Sequence, residues 1–194
     1  MVMWESEEFG TEHEGRPGVL LADGTEPGPV YFDAGSGSTV HRSTDWRVYD
    51  GTLGAPAATH LRGACSCGWR GTRHCPLDWE AADRRRPYLT DTTGPERDWN
   101  AHITDVQNRT APVPAELLAL LDQAEKRLPN LAAENPLAAL RAVATLERLI
   151  RQAAGDAALS LDTPNGPSWD TIGQALGISA ETARSRLTRY ALGR

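Results

Sequence analysis

The sequence predicts an α+β protein in two parts, a small β-rich module followed by an all-helical domain. Three observations predict it. Between Thr39 and about Ala64, short segments such as TVHRS, WRVYDG and THLRGA alternate with turn residues, the pattern of short antiparallel strands. From Pro114 onward Ala, Leu, Glu and Arg take over, with apolar residues recurring at three- and four-residue steps, the period of amphipathic helices. The chain's 194 residues suffice for two small cores and are few for a large catalytic scaffold.

Taken in order, residues 1–37 mix acid, Gly and Pro, with Val19, Leu20 and Leu21 as the compact apolar run. This stretch reads as loop, partly disordered. Residues 38–107 form the β-rich module. Within it LDWEAADRRR reads as a short helix ended by Pro87, and a second helix starts at the Thr, Gly and Pro cluster of TDTTGPERDWNAHI. NRTAPVP makes 108–114 a linker, and 115–194 is the helical domain. There PAELLALLDQAEKRL reads as a helix broken by Pro129. The next stretch places Leu137, Leu140, Val143, Ala144, Leu146, Leu149 and Ile150 on one stripe. It is one long amphipathic helix with Pro136 in its first turn, ended by Gly155 or by the TPNGP loop. Such a stripe is usually bundle core, and across 137–154 it is also a candidate homodimer seam.

Composition removes several function classes. No run approaches the roughly 20 apolar residues that a membrane-spanning helix needs. The acidic start MVMWESEEFGTEHEG lacks the basic-then-apolar order of a secretory signal, so a cytoplasmic location without membrane partners is expected. Three cysteines, Cys65, Cys67 and Cys75, are an odd number and stay reduced there, which argues against a disulfide framework. The net charge of −6 is unevenly divided. Residues 1–114 hold 17 acidic and 11 basic side chains (11 − 17 = −6), whereas residues 115–194 hold 9 of each. In the last fifteen residues Arg184, Arg186, Arg189 and Arg194 face only Glu181, so the basic footprint sits at the end of the chain. Of the 20 basic residues only Lys126 is lysine, a bias typical of a GC-rich genome such as an actinobacterium's.

The last segment carries its own turn chemistry. Ser168 caps a short helix, WDTIGQAL, and Gly177, Ile178 and Ser179 form a turn. Gly177 supplies positive φ, Ile178 fills the angle between helices, and Ser179 caps the helix that follows. Ile172, Leu176, Ile178, Ala183 and Leu187 then face inward, while Ala180, Glu181, Arg184, Ser185, Thr188 and Arg189 face outward. The run WDTIGQALGISAETARSRLTRY resembles the helix-turn-helix of sigma-70 region 4 and its bacterial regulator relatives. Residues 135–192 also resemble small actinobacterial helix-turn-helix proteins with one long helix before the motif. Gly173 and Ala183 depart from that pattern, standing where alanine and a branched residue are common, which implies closer helix approach or a looser core. The resemblance implies duplex DNA binding by a helix-turn-helix at 168–191. Ser179, Ala180, Thr182, Arg184, Ser185, Thr188 and Arg189 are its expected contacts. Arg184 and Arg189 are the strongest candidates for phosphate or guanine, and Ser179 and Thr182 suit phosphate.

The module before it concentrates soft ligands: THLRGACSCGWRGTRHC holds His60, Cys65, Cys67, His74 and Cys75, and His102 follows in the DWNAHI helix. That density predicts a zinc site, because metal binding compensates a unit with little core of its own. The CxCGW run followed by WxxH resembles a zinc-ribbon-like pattern of actinobacterial proteins, which implies Cys65, Cys67 and His102 with His60 as the fourth ligand. His74 and Cys75 are the competing residues, and His13 and His41 read as surface or loop. Trp69, Trp79 and Trp99 read as core, and Asp83–Arg86 as a solvated charge run. No HExxH and no HxE with a paired PCxxC is present, so a catalytic zinc is disfavoured. The expected function is a non-enzymatic, zinc-stabilised DNA-binding transcriptional regulator. The alternative is a protein-interaction adaptor for a polymerase or a sigma or anti-sigma partner, with the helix-turn-helix as docking surface.

Overall fold

The structure, a computed structural model, describes residues 3–32, 41–82 and 89–193. The expected Asp83–Arg86 charge run, Pro87 and Arg194 lie outside the described residues. The architecture is α+β: small antiparallel sheets come first and a helical region follows. The chain divides into two compact units, Met1–Asn108 and Arg109–Arg194.

In the first unit strand β1 is Gly15–Leu20, β2 Val30–Phe32, β3 His41–Ser43, β4 His60–Cys65 and β5 Cys75–Pro76, and helix α1 runs Thr93–Gln107. β1, β4 and β5 form one antiparallel sheet in that order, and β2 pairs with β3. β1 arises from the stretch read as loop. Its Val19 and Leu20 are buried, and Pro17 is accommodated because β1 lies at the sheet edge, where a missing N–H breaks no central ladder. Composition hid this strand: its neighbours are acidic, but what orders it is the long-range ladder from Gly15↔Cys65 to Leu20↔His60.

One apolar cluster gathers Val19, Trp46, Tyr49, Ala58, Leu61 and Leu77, with Trp79 packed against it. A second gathers Trp4, Cys65, Trp99 and Ile103, with Phe9 and Trp69 at its margin. Two glycines let α1 lie close on the sheet. A Cβ on Gly15 would stand 2.5 Å from the Trp99 ring, and one on Gly63 would stand 2.7 Å from the Pro95 carbonyl oxygen. In place of the helix expected at LDWEAADRRR, the described residues form a turn at 79–81. Asp78 Oδ1 accepts from the Glu80 and Ala81 amides there, the local competition that draws Asp out of helices.

The second unit holds α2 (Ala115–Glu134), α3 (Pro136–Leu161), α4 (Trp169–Leu176) and α5 (Ala180–Ala191). The expected break at Pro129 does not occur, and α2 continues through it to Glu134. No residue of α2 is buried, so the carbonyl freed by the proline ring faces water rather than apolar surroundings. Asn135 makes the actual break. It ends α2 and caps α3, its side chain accepting from the Ala138 amide at 3.1 Å. Of the two ends weighed for α3, the TPNGP loop is the one found, and Gly155 stays inside the helix. The core of this unit is Ala158, Ile172, Ala183 and Leu187, with Leu161, Ile178 and Tyr190 packed on it. Leu176, expected inward, is instead 42% exposed, because it ends the two-turn α4 beside Gly177 and has no further turn to cover it.

Candidate metal centre

β4 ends at Cys65, and the chain then turns back over Cys65–Gly68. The Gly68 amide bonds the Cys65 carbonyl at 3.0 Å with Gly68 at φ +96°, and the Cys65 amide bonds the Trp69 carbonyl at 3.0 Å. This glycine-closed turn is what allows two thiols one residue apart to face the same point. The Trp69 amide donates to Cys67 Sγ at 3.5 Å, and Arg70 Nη1 donates to the Cys65 and Trp69 carbonyls at 3.2 and 3.0 Å. The sulfurs are therefore fixed by backbone, not by rotamer choice alone.

α1 supplies the third group. Trp99 is anchored against Gly15, and His102, three residues on, projects from the same side of the helix. Its ring stacks on Trp69 with centroids 4.4 Å apart at 8°, and its Nε2 lies 3.4 Å from Cys67 Sγ.

The fourth group is His13. It closes a 3-10 turn, Gly10–His13, just before β1. Ser66 clasps that turn onto the cysteine loop. The Ser66 amide donates to the Glu14 carbonyl at 2.8 Å, the Glu14 amide donates to Ser66 Oγ at 2.9 Å, and Ser66 Oγ donates to the Thr11 carbonyl at 3.1 Å. His13 is buried, with Nδ1 3.5 Å from Cys65 Sγ.

The ligand atoms of His13, Cys65, Cys67 and His102 all lie within 4.8 Å of one another. Bonds of about 2.0–2.3 Å to one tetrahedral ion set its ligands roughly 3.3–3.8 Å apart. The nitrogen–sulfur separations of 3.5 and 3.4 Å match such edges, so the group is compatible with a bound metal ion. The sulfurs are electronically unequal. Hydrogen bonding with Cys67 holds Cys65 well below the ordinary thiol range despite burial, with His102 and His13 contributing, and the same bond pushes Cys67 up. A cation replaces this arrangement by neutralising two thiolates at once.

His60, expected as fourth ligand, is replaced by His13. His60 and Cys65 are opposite ends of β4, and five residues of strand span about 17 Å, too far for one ion. His60 instead lies beside His74, ring centroids 6.1 Å apart. Of the competing residues, His74 is exposed, and Cys75 Sγ packs where a Cβ on Gly94 would stand, 2.7 Å away. His41 is exposed on β3. The signal for His13 was a lone histidine two residues before a strand, and it has meaning only once Gly15 is known to pair with Cys65.

In the second unit Ser168 Oγ accepts from the Thr171 amide at 3.2 Å and Ser179 Oγ from the Thr182 amide at 3.0 Å. Gly177 between them is left-handed, φ +66°. Ala183 and Leu187 turn inward, leaving Glu181, Arg184, Ser185, Thr188 and Arg189 exposed, with Ala180 and Thr182 half-buried. Gly173 is a close-approach position: a Cβ there would lie 2.8 Å from the Ile178 carbonyl oxygen and 3.0 Å from the Ala180 nitrogen. Compared with protein-family models, curated proteins and solved structures, the chain matches none.

Proposed function

We propose that the protein is a sequence-specific double-stranded-DNA-binding transcriptional regulator whose first unit is held together by a structural zinc ion. The observation carrying the DNA reading is the outer face of α5. Arg184, Ser185, Thr188 and Arg189 are exposed in a row behind a capped N-terminus, on a helix anchored by Ala183 and Leu187. Such a face suits a major groove: guanidinium groups neutralise phosphate or fork onto guanine, and short hydroxyl side chains permit close approach. Few cations are present, so two copies on one duplex serve the reading better than one.

Zinc is favoured by the donor set. Two thiolates and two imidazoles whose ligand atoms lie within 4.8 Å of one another suit it, whereas calcium and magnesium prefer oxygen. Four protein ligands would complete a tetrahedral shell and leave no position for a substrate water, which supports a folding role for the ion.

Selection of bound duplexes from a random library, with metal assayed on the same preparation, tests both halves. The expected result is an enriched sequence, an affinity that falls steeply with salt, and one zinc per chain. A library that emerges unenriched would leave the adaptor role, and a folded protein without metal would remove the zinc.

A further inference from the structure

We infer that Cys65 and Cys67 are a peroxide-responsive thiol pair, whose oxidation to a disulfide across Ser66 ejects the zinc ion from the centre. The inference rests on the zinc reading of the same four residues and adds its regulation. Of those residues, His13 and Cys65 are buried and His102 is half-buried, whereas Cys67 is exposed. A peroxide arriving from solvent therefore meets Cys67 first, and cysteine oxidation follows thiolate character together with exposure. Zinc keeps its sulfur ligands as thiolates, the nucleophilic form. The thiol needed to resolve the product stands beside it: the two sulfurs lie within 4.8 Å of each other and are hydrogen-bonded. Two residue steps of chain span at most about 7 Å, and the turn closed by the Gly68 amide on the Cys65 carbonyl shortens that span. The two α-carbons are thus within the reach of a disulfide, up to about 6.8 Å.

Hydrogen peroxide is the only co-reactant the step needs. The Cys67 thiolate attacks one peroxide oxygen, the O–O bond breaks, hydroxide leaves and a sulfenic acid forms. The Cys65 thiolate then attacks that sulfur, forming the S–S bond and releasing the second hydroxide. Two thiolates lose two electrons, one peroxide gains them, and the cation leaves because two imidazoles remain of its four ligands. Ser66 ties this chemistry to the fold. It lies between the two sulfurs in sequence, and its amide and hydroxyl clasp Glu14 and Thr11 beside His13. The disulfide would therefore close in the same loop that holds the His13 turn. Cys75 supplies an internal comparison. Its sulfur packs at Gly94, outside the ligand group, and burial pushes its thiol above the ordinary range.

The experiment titrates the full, zinc-loaded chain with hydrogen peroxide, follows zinc release with a chromophoric chelator, and maps the cysteines by alkylation, trypsin digestion and mass spectrometry. Cleavage after Arg62 and Arg70 places both thiols in one peptide, GACSCGWR, while Cys75 falls in the peptide that starts at His74. One zinc released per peroxide consumed is expected, with GACSCGWR unalkylated and lighter by two hydrogens. Cys75 should still be alkylated at that point, its oxidation being about 10-fold slower. Dithiothreitol with added zinc should restore the centre, and Cys75→Ser, which leaves the ligand group intact, should respond like the unsubstituted chain. Zinc retained after Cys75 has been oxidised overturns the inference. So does zinc release with GACSCGWR joined to the Cys75 peptide, or with Cys67 carried to sulfinic acid and no disulfide. A reduced, folded chain that carries no zinc counts against the zinc reading itself and, with it, against zinc ejection, an outcome distinct from zinc that is bound and never released.

Discussion

The two units of this chain are built by opposite means. The first orders its backbone by pairing residues far apart in sequence, such as Gly15 with Cys65, and buries tryptophans and a tyrosine in two small clusters. The second closes nearly all its backbone hydrogen bonds within helices and buries mainly alanine, leucine and isoleucine. Short strands do not stand alone, so the first unit relies on long-range clasps such as that of Ser66 on Thr11 and Glu14, and it brings the ligand atoms of His13, Cys65, Cys67 and His102 within 4.8 Å of one another. Helices stand with less tertiary help, which frees the second unit to leave large apolar side chains exposed.

That contrast is broken or sharpened most strongly by removing the proposed metal ligands. Cys65→Ser or His13→Ala is expected to abolish stoichiometric zinc and unfold the first unit. Structural zinc contributes on the order of 10 kcal/mol to such folds, more than a unit of this size can lose. The helical signal of α2–α5 should survive. His60→Ala should keep its zinc, and metal analysis beside near- and far-ultraviolet circular dichroism reads all three. Loss of zinc from His60→Ala with retention in His13→Ala would refute the assignment of the fourth ligand.

Gly15→Ala asks whether the packing of α1 on the sheet is as tight as the geometry requires. Its methyl group would stand 2.5 Å from the Trp99 ring, so a loss of about 3 kcal/mol from the first unit alone is expected, checked by denaturant titration followed through tryptophan fluorescence. Gly173→Ala is the matching test in the second unit. An alanine methyl group there would meet backbone at 2.8 and 3.0 Å. Alanine should therefore destabilise the helical unit by about 1–3 kcal/mol despite its better helix propensity. A more stable variant by thermal unfolding would mean that α4 and α5 sit farther apart.

Smaller effects probe the surface of α5. Arg184→Ala or Arg189→Ala should weaken a selected duplex by about 1–3 kcal/mol if the side chain reads a base, and evenly across sequences if it meets phosphate. Unfolding temperature should not change, because both residues are exposed; unchanged affinity in the double variant contradicts the DNA reading. Ser179→Ala removes the cap bond from the Thr182 amide and the exposed hydrogen bond to Thr182 Oγ1 and should cost about 1 kcal/mol of stability in the second unit, visible as a lowered thermal midpoint.

What the sequence determined by itself is what depends on near neighbours. The caps at Ser168 and Ser179, the left-handed Gly177, the outward row on α5 and the helical character from Pro114 follow from interactions three or four residues long, and their side-chain chemistry is written locally. The presence of soft ligands at Cys65, Cys67 and His102 was equally legible as density. Tertiary structure decided the rest. β1 emerges from an acidic, glycine-rich stretch only because β4 lies beside it. Pro129 stays in a helix because α2 keeps it at the surface. His13 rather than His60 completes the group, since a strand holds its two ends apart while a ladder brings residues fifty positions distant to one turn. Local pattern records which chemistry is available, and only the pairing of distant segments selects which atoms meet.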